Sequence, residues 1–98
     1  MRYSIKVSRM AALEIVEAFD WYELQRRGLG IEFLDELDAL YATLLQNPQV
    51  FGYYDKPVRE GKINRFPYLV VYELIDEDIV IYSVFMSKKD PERKRKKL

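Results

Sequence analysis

The sequence predicts an α+β domain: one antiparallel sheet with an N-terminal helical hairpin packed on one face. Three observations predict it. Two stretches in the first half repeat apolar residues every three or four positions. Two runs in the second half, at 68–75 and 79–86, are rich in β-branched and aromatic residues, and the acidic triplet Asp76-Glu77-Asp78 between them signals a hairpin. Helices grouped ahead of strands give a layered α+β class rather than alternating βαβ units. The chain of 98 residues, 49% hydrophobic, fits one domain over 1–98 that ends in a basic tail at 88–98.

Each element has a local reason. Tyr3, Ile5 and Val7 alternate with Ser4, Lys6 and Ser8, so a short strand opens the chain. Ser8 stands where an N-cap belongs. Ala12, Ile15, Val16, Phe19 and Tyr22 then keep a helical period, and Glu14, Glu17, Asp20 and Glu23 are expected to fill the opposite side. Arg26-Arg27-Gly28 reads as the stop, with cations in the last turn and glycine after it. Leu29-Gly30 is a tight connection to a second helix. Phe33, Leu34, Leu37, Leu40, Tyr41 and Leu44 carry its apolar face. That helix stops at Asn47-Pro48, because the residue before proline disfavours the α region. So short a connection makes the two helices a hairpin. Residues 50–55 are aromatic and extended in character, and 62–65 lead into the two strong strands. Those strands are apolar at odd and even positions alike, which predicts central strands with both faces covered or nearly so.

Composition excludes several chemistries. The chain has no Cys and no His. Disulfides, thiolate nucleophiles, Cys- or His-ligated metal sites and a His general base are therefore absent. There is no glycine-rich phosphate loop, and no apolar run approaches the ~20 residues of a membrane span. The N-terminus lacks the apolar core of a secretory leader. No cofactor, no metal and no membrane partner are expected, and the expected compartment is the cytoplasm. Acidic pairs at helical spacing, such as Asp35/Asp38, read as a solvated face.

The formal charge is zero but unevenly spread. Residues 88–98 hold seven cations and two anions, so the first 87 residues carry a net −5. A basic tail on an acidic body points to a polyanionic or acidic partner. The remaining constellation is cationic and aromatic: Tyr53, Tyr54, Lys56, Arg59, Lys62, Arg65 and Tyr68, then Lys88, Lys89 and Arg93. If the strands bring these residues to one concave side, cations suit phosphates and tyrosines suit unstacked bases. The alternative is ordinary edge-strand charge that suppresses sheet aggregation. Tyr68 and Tyr72 are expected to pack within the sheet.

The order of short motifs carries a resemblance that covers nearly the whole chain. A strand and a helix with Asp20-Trp21-Tyr22 are followed by Gly28-Leu29-Gly30 with Phe33-Leu34, and then by Asn47-Pro48. Next come Arg65-Phe66-Pro67-Tyr68 with Val71-Tyr72, then Val84-Phe85 and Asp90-Pro91. This series resembles the RelE/ParE superfamily, the toxins of bacterial type II toxin–antitoxin pairs, often labelled plasmid stabilisation proteins. The resemblance implies a compact α+β toxin that inhibits growth and is neutralised by a cognate antitoxin.

Two targets follow from the resemblance: DNA gyrase for ParE-like members, and mRNA in the ribosome for RelE-like members. For the ribonuclease branch it implies a tentative catalytic set of Lys62, Arg65, Lys88 and Lys89, with Tyr53, Arg59 and Arg93 binding the target. That branch also has an Arg near the position of Leu69 and a Tyr near Arg95, and neither is present here. Arg65 ahead of Phe-Pro-Tyr is more similar to the ParE-like members. The expected function is therefore a toxin with a gyrase-type or unassigned target. The alternatives are a ribosome-dependent endoribonuclease and a non-toxic degenerate binding module.

Overall fold

A computed structural model describes residues 2–87 of the chain. The elements run β1 (Ser4–Val7), α1 (Arg9–Gln25), α2 (Leu29–Gln46), β2 (Tyr53–Asp55), β3 (Val58–Lys62), β4 (Tyr68–Ile75) and β5 (Asp78–Met86). Ser8 caps α1 as its side chain dictates: the Oγ accepts from the Ala11 N–H at 3.0 Å. The same hydroxyl donates to the Tyr82 carbonyl at 3.0 Å, which fixes the start of the helix to β5.

The five strands are ordered β1-β5-β4-β3-β2. Strands β4 and β5 are interior, as their apolar composition requires. They pair antiparallel from Tyr68↔Met86 to Ile75↔Asp78, with an irregularity opposite Val71 and Tyr72. The hairpin turn is tighter than the acidic triplet suggests. Asp78 is already paired, so Asp76 and Glu77 alone make the bend, with Asp76 at φ 55°. A short Asx side chain tolerates that left-handed backbone. β1 departs from the antiparallel pattern and pairs parallel with β5, Ile5 facing Ile79. The whole helical hairpin separates β1 from the other strands in the chain, so no local turn dictates its direction.

Both helices cover one face of the sheet. The buried core joins Ala11, Ala18 and Tyr22 of α1 and Phe33, Leu37, Leu40 and Leu44 of α2 to Val70, Tyr72, Ile79, Ile81 and Val84. Tyr22, Phe33, Phe66 and Tyr68 pack as aromatic rings, with Tyr22–Phe66 centroids 4.9 Å apart and Phe33–Tyr68 centroids 5.1 Å apart. On the opposite face Leu69, Val80, Tyr82 and Phe85 are half-buried. No element among the described residues lies over them, so the covering expected for both faces is present on one.

Helix α1 corrects the sequence reading most. Its inward face centres on Ala11, Ala18 and Tyr22, while Ala12 and Val16 are exposed. Two alanines let the helix sit close to the sheet, and the helical period alone does not show that choice. The opposite side is not purely acidic. Met10, Leu13, Val16 and Leu24 stand 62%, 58%, 55% and 83% exposed on it. Glu14 and Glu23 are instead turned onto backbone amides. The Glu14 carboxylate accepts from the Ser83 hydroxyl and the Val84 N–H, both at 2.8 Å, along the part of the β5 edge that β1 does not reach. The Glu23 carboxylate accepts from Gly28 N–H at 3.2 Å and Gly30 N–H at 2.7 Å, capping the start of α2. The connection is Arg26-Arg27-Gly28, with Gly28 at φ +89°, and Leu29-Gly30 already belong to α2. At the far end α2 stops at Gln46, and the buried Pro48 carbonyl accepts from Tyr72 Oη at 2.8 Å.

Candidate macromolecule-binding site

The cations proposed from the sequence fall into two groups at opposite ends of β3. The first forms where β2 turns into β3. Arg59 starts on β3 beside Tyr72 of β4 and reaches back over β2. Its guanidinium lies 4.1 Å from the centroid of the Tyr53 ring, and Nη2 donates to Tyr53 Oη at 2.9 Å. Nη1 donates to the Phe51 carbonyl at 2.6 Å and to the Gln49 carbonyl at 3.3 Å. Lys56 Nζ sits 5.6 Å from the same ring. Tyr53 and Tyr54 are both exposed. Among the described residues Arg59 has carbonyl and phenol partners but no carboxylate, so its charge is held in place without being neutralised. A shallow hollow of about 130 Å³ lies beside it, lined by Gln49, Tyr53, Pro57, Arg59 and Leu74.

The second group lies at the other end of β3. Lys62 follows Arg59 by three residues, about 10 Å at the rise of a strand. Its Nζ approaches the Ile63 and Phe66 carbonyls at 3.4 and 3.5 Å. Arg65 occupies the loop before β4 with φ 71°, the left-handed region that a non-glycine residue enters at a cost of about 1–2 kcal/mol. That backbone turns its side chain onto α2. Nη2 meets Glu32 Oε1 at 2.8 Å, and Nη1 meets Glu36 Oε2 at 3.7 Å. Arg26 holds the other Glu32 oxygen at 3.1 Å. The Arg65 hydrogen bond, followed by that of Arg26, holds the Glu32 carboxyl below its ordinary range. The same bond to Glu32 raises Arg65.

Tyr53, Lys56 and Arg59 are therefore brought together, while Lys62 and Arg65 are placed apart from them, Arg65 neutralised by two carboxylates. Tyr68 and Tyr72 are buried, and burial raises both phenols above their ordinary pKa. Leu69 is half-buried on the face away from the helices. Lys88, Lys89, Arg93 and Arg95 lie outside the described residues. Sequence reasoning missed the two inward-turned carboxylates, Glu14 and Glu23. The available signal for Glu23 was a carboxylate one turn ahead of a glycine-flanked helix start.

Comparison with known proteins gives a consistent result. The family model described as the ParE toxin of the type II toxin–antitoxin system, parDE, matches residues 5–91. Comparison with curated sequences gives no match. Among solved structures, the fold is similar to a chain of the chromosomal ParDE toxin–antitoxin system from P. aeruginosa. The TM-score is 0.77 at 20% identity, covering 88% of this chain and 97% of that one. It is also similar to the isolated RelE toxin of E. coli, with TM-score 0.68 at 20% identity, covering 98% and 99%. At such identities the two structures establish a shared fold, and the sequence model establishes the family. The chain belongs to the ParE toxin family of type II toxin–antitoxin systems.

Proposed function

We propose that this chain is a growth-arresting toxin that acts on a macromolecular target of the DNA gyrase type and is held inactive by a cognate antitoxin. The family match over residues 5–91 carries the reading. The cluster of Tyr53, Lys56 and Arg59 supports it physically. A guanidinium stacked on a tyrosine and unopposed by a carboxylate among the described residues is prepared for an acidic surface or a phosphate at little entropic cost. The reading places the protein in the cytoplasm, with Arg93 as a further target contact.

An endoribonuclease reading would use Lys62, Arg65, Lys88 and Lys89 to stabilise charge on the scissile phosphate. It ranks second, because Arg65 is already paired with Glu32 and Glu36 and position 69 is leucine.

The test is inducible expression in a bacterial host, with and without a co-expressed candidate antitoxin of the ParD type. Arrest relieved by the antitoxin is expected, together with inhibition of DNA supercoiling by purified gyrase. Unimpaired growth would overturn the toxin reading. Arrest with intact supercoiling and toeprints showing cleavage in the ribosomal A site would transfer it to the ribonuclease branch.

A further inference from the structure

Strand β1 has four residues and β5 has nine, so β5 runs on past Ile81 without β1 beside it. Helix α1 stands off that stretch. Glu14, Glu17, Ala18 and Trp21 recur at i, i+3, i+4 and i+7, which sets them on one stripe of the helix, turned to the end of β5. Ala18 is too short to close the gap. An open cavity of about 330 Å³ remains, walled by Glu14, Glu17 and Trp21 on the helix and by Tyr68, Val84 and Met86 on the sheet. That is the lower end of the ~300–1,000 Å³ of small-molecule pockets.

The polar groups around it are two carboxylates and a phenol. Glu14 Oε1 accepts from the Ser83 hydroxyl and the Val84 N–H, and Oε2 has no partner among the described residues. Glu17 is exposed and forms no ion pair among the described residues. No cation among them lines the cavity. Trp21 presents an indole that is 51% exposed. Tyr68 is only 8% exposed, yet its phenol has no hydrogen-bond partner among the described residues, where buried hydroxyls ordinarily have one. Burial, and then the Glu17 carboxylate, raises that phenol, so it stays protonated at neutral pH with its oxygen able to accept. The group that satisfies this set is cationic, rich in donors and flat enough to lie on an indole. A guanidinium has all three properties, with five N–H donors in one plane. Its methylene stem suits the apolar surface of Ala18, Val84 and Met86.

We propose that the cavity between α1 and the end of β5 binds an alkylguanidinium group, with Glu17 opposing its charge, Trp21 stacking on its plane and Tyr68 accepting from it. An arginine side chain of a polypeptide and a free alkylguanidine carry the same group. The cavity lies against β5, whereas the Tyr53–Arg59 cluster lies across the sheet on β2 and β3, so the proposal does not depend on the target assigned above.

Trp21 is the chain's sole tryptophan and reports on the site directly. The purified full chain is titrated with N-acetylargininamide, with its citrulline analogue, which keeps the shape and lacks the charge, and with its lysine analogue. The arginine compound is expected to shift Trp21 emission and to bind at least about tenfold more tightly than the citrulline compound, a preference that weakens with added salt. It is expected to exceed the lysine compound about threefold, because an ammonium is a point charge without the planar fork. Glu17→Gln lowers affinity about fivefold or more and leaves the thermal midpoint close to wild type, because Glu17 is exposed. Asp35→Asn, the same loss of charge on α2 away from the cavity, leaves affinity within about twofold. Agmatine and a blocked Gly-Arg-Gly peptide separate the two sources, the tighter binder naming the one that fits. No shift in emission overturns the proposal. So does binding of the citrulline or lysine compound as tight as that of the arginine compound, or a Glu17→Gln protein that binds no worse than Asp35→Asn.

Discussion

Replacing Gly30 with alanine opposes two effects of known sign. Gly30 lies in the first turn of α2, where alanine favours the helix by about 1 kcal/mol over glycine. The added Cβ would stand 2.7 Å from Phe19 Cδ1, 2.8 Å from Glu23 Cγ and 2.8 Å from the Phe19 carbonyl oxygen. The first two atoms can move by rotation. The carbonyl belongs to the α1 backbone, so relief requires the helices to separate. Phe19 and Glu23 also lose their places, and with Glu23 goes the carboxylate that caps α2. Overpacking of this kind costs about 1–3 kcal/mol and exceeds the propensity gain. Gly30→Ala should destabilise by about 1–2 kcal/mol, and each kcal/mol lowers Tm by about 4–8 °C in a domain of this size. Thermal and urea unfolding followed by circular dichroism measures it. Gly28→Ala is the control: its Cβ meets nothing within 4 Å, so it carries only the strain of φ +89°, which Gly28→Asn should largely relieve. A Gly30→Ala protein as stable as wild type, or more so, would refute the close helix crossing.

Other outcomes follow from single groups. Tyr41 Oη is buried without a hydrogen-bond partner among the described residues, so Tyr41→Phe should raise stability by about 1 kcal/mol in urea titration. Burial, with a smaller contribution from Asp38, pushes that phenol up to about 12. Its neutral form is favoured in the fold, so its contribution holds below pH 10 and is lost as pH rises towards 12, which a spectrophotometric tyrosine titration would follow. Tyr72→Phe leaves the buried Pro48 carbonyl without its donor and should cost about 1–3 kcal/mol in the same assay. Glu23 is held low chiefly by the Gly28 amide, and Glu32 chiefly by Arg65. Their contributions are present above about pH 4.5 and lost as pH falls below it, and Glu23→Gln should flatten that acid limb in melts between pH 3 and 6. Arg65→Asn removes two exposed ion pairs and relieves a strained backbone, so stability should stay within about 0.5 kcal/mol. Growth arrest that survives this change would remove Arg65 from the functional residues.

Much of the fold was legible because local chemistry and tertiary structure agree. Ser8 caps α1, Asn47-Pro48 ends α2, and the β-branched runs form the inner strands of the sheet. Helical period located the α2 core face, from Phe33 through Leu44. It was less informative for α1, where two stripes of similar hydrophobicity compete and the small Ala11 and Ala18 take the buried one. The parallel direction of β1 was not legible, because it depends on where a helical hairpin returns the chain and not on any turn. The cations were found, but their grouping was not. Spacing in sequence from Arg59 to Arg65 becomes distance along a strand, and only side-chain reach shows that Arg59 turns to Tyr53 while Arg65 turns to Glu32. Glu14 had no sequence signature beyond being an acid on a helix, and Glu23 had only the glycines that follow it.

The marriage of first strand to last sets a condition on synthesis. Among the described residues Ser4 through Val7 pair with Asp78 through Ile81, the Ser4 N–H donates to the Glu77 carbonyl, and the Ser8 hydroxyl donates to the Tyr82 carbonyl. While the chain is being translated, its opening residues wait beside a finished helical pair for a neighbour that arrives near the end. Closure of the sheet at β1 therefore requires nearly the whole chain. A chain cut short anywhere before that last strand would leave the ribosome without the strand that joins β1 to the rest of the sheet.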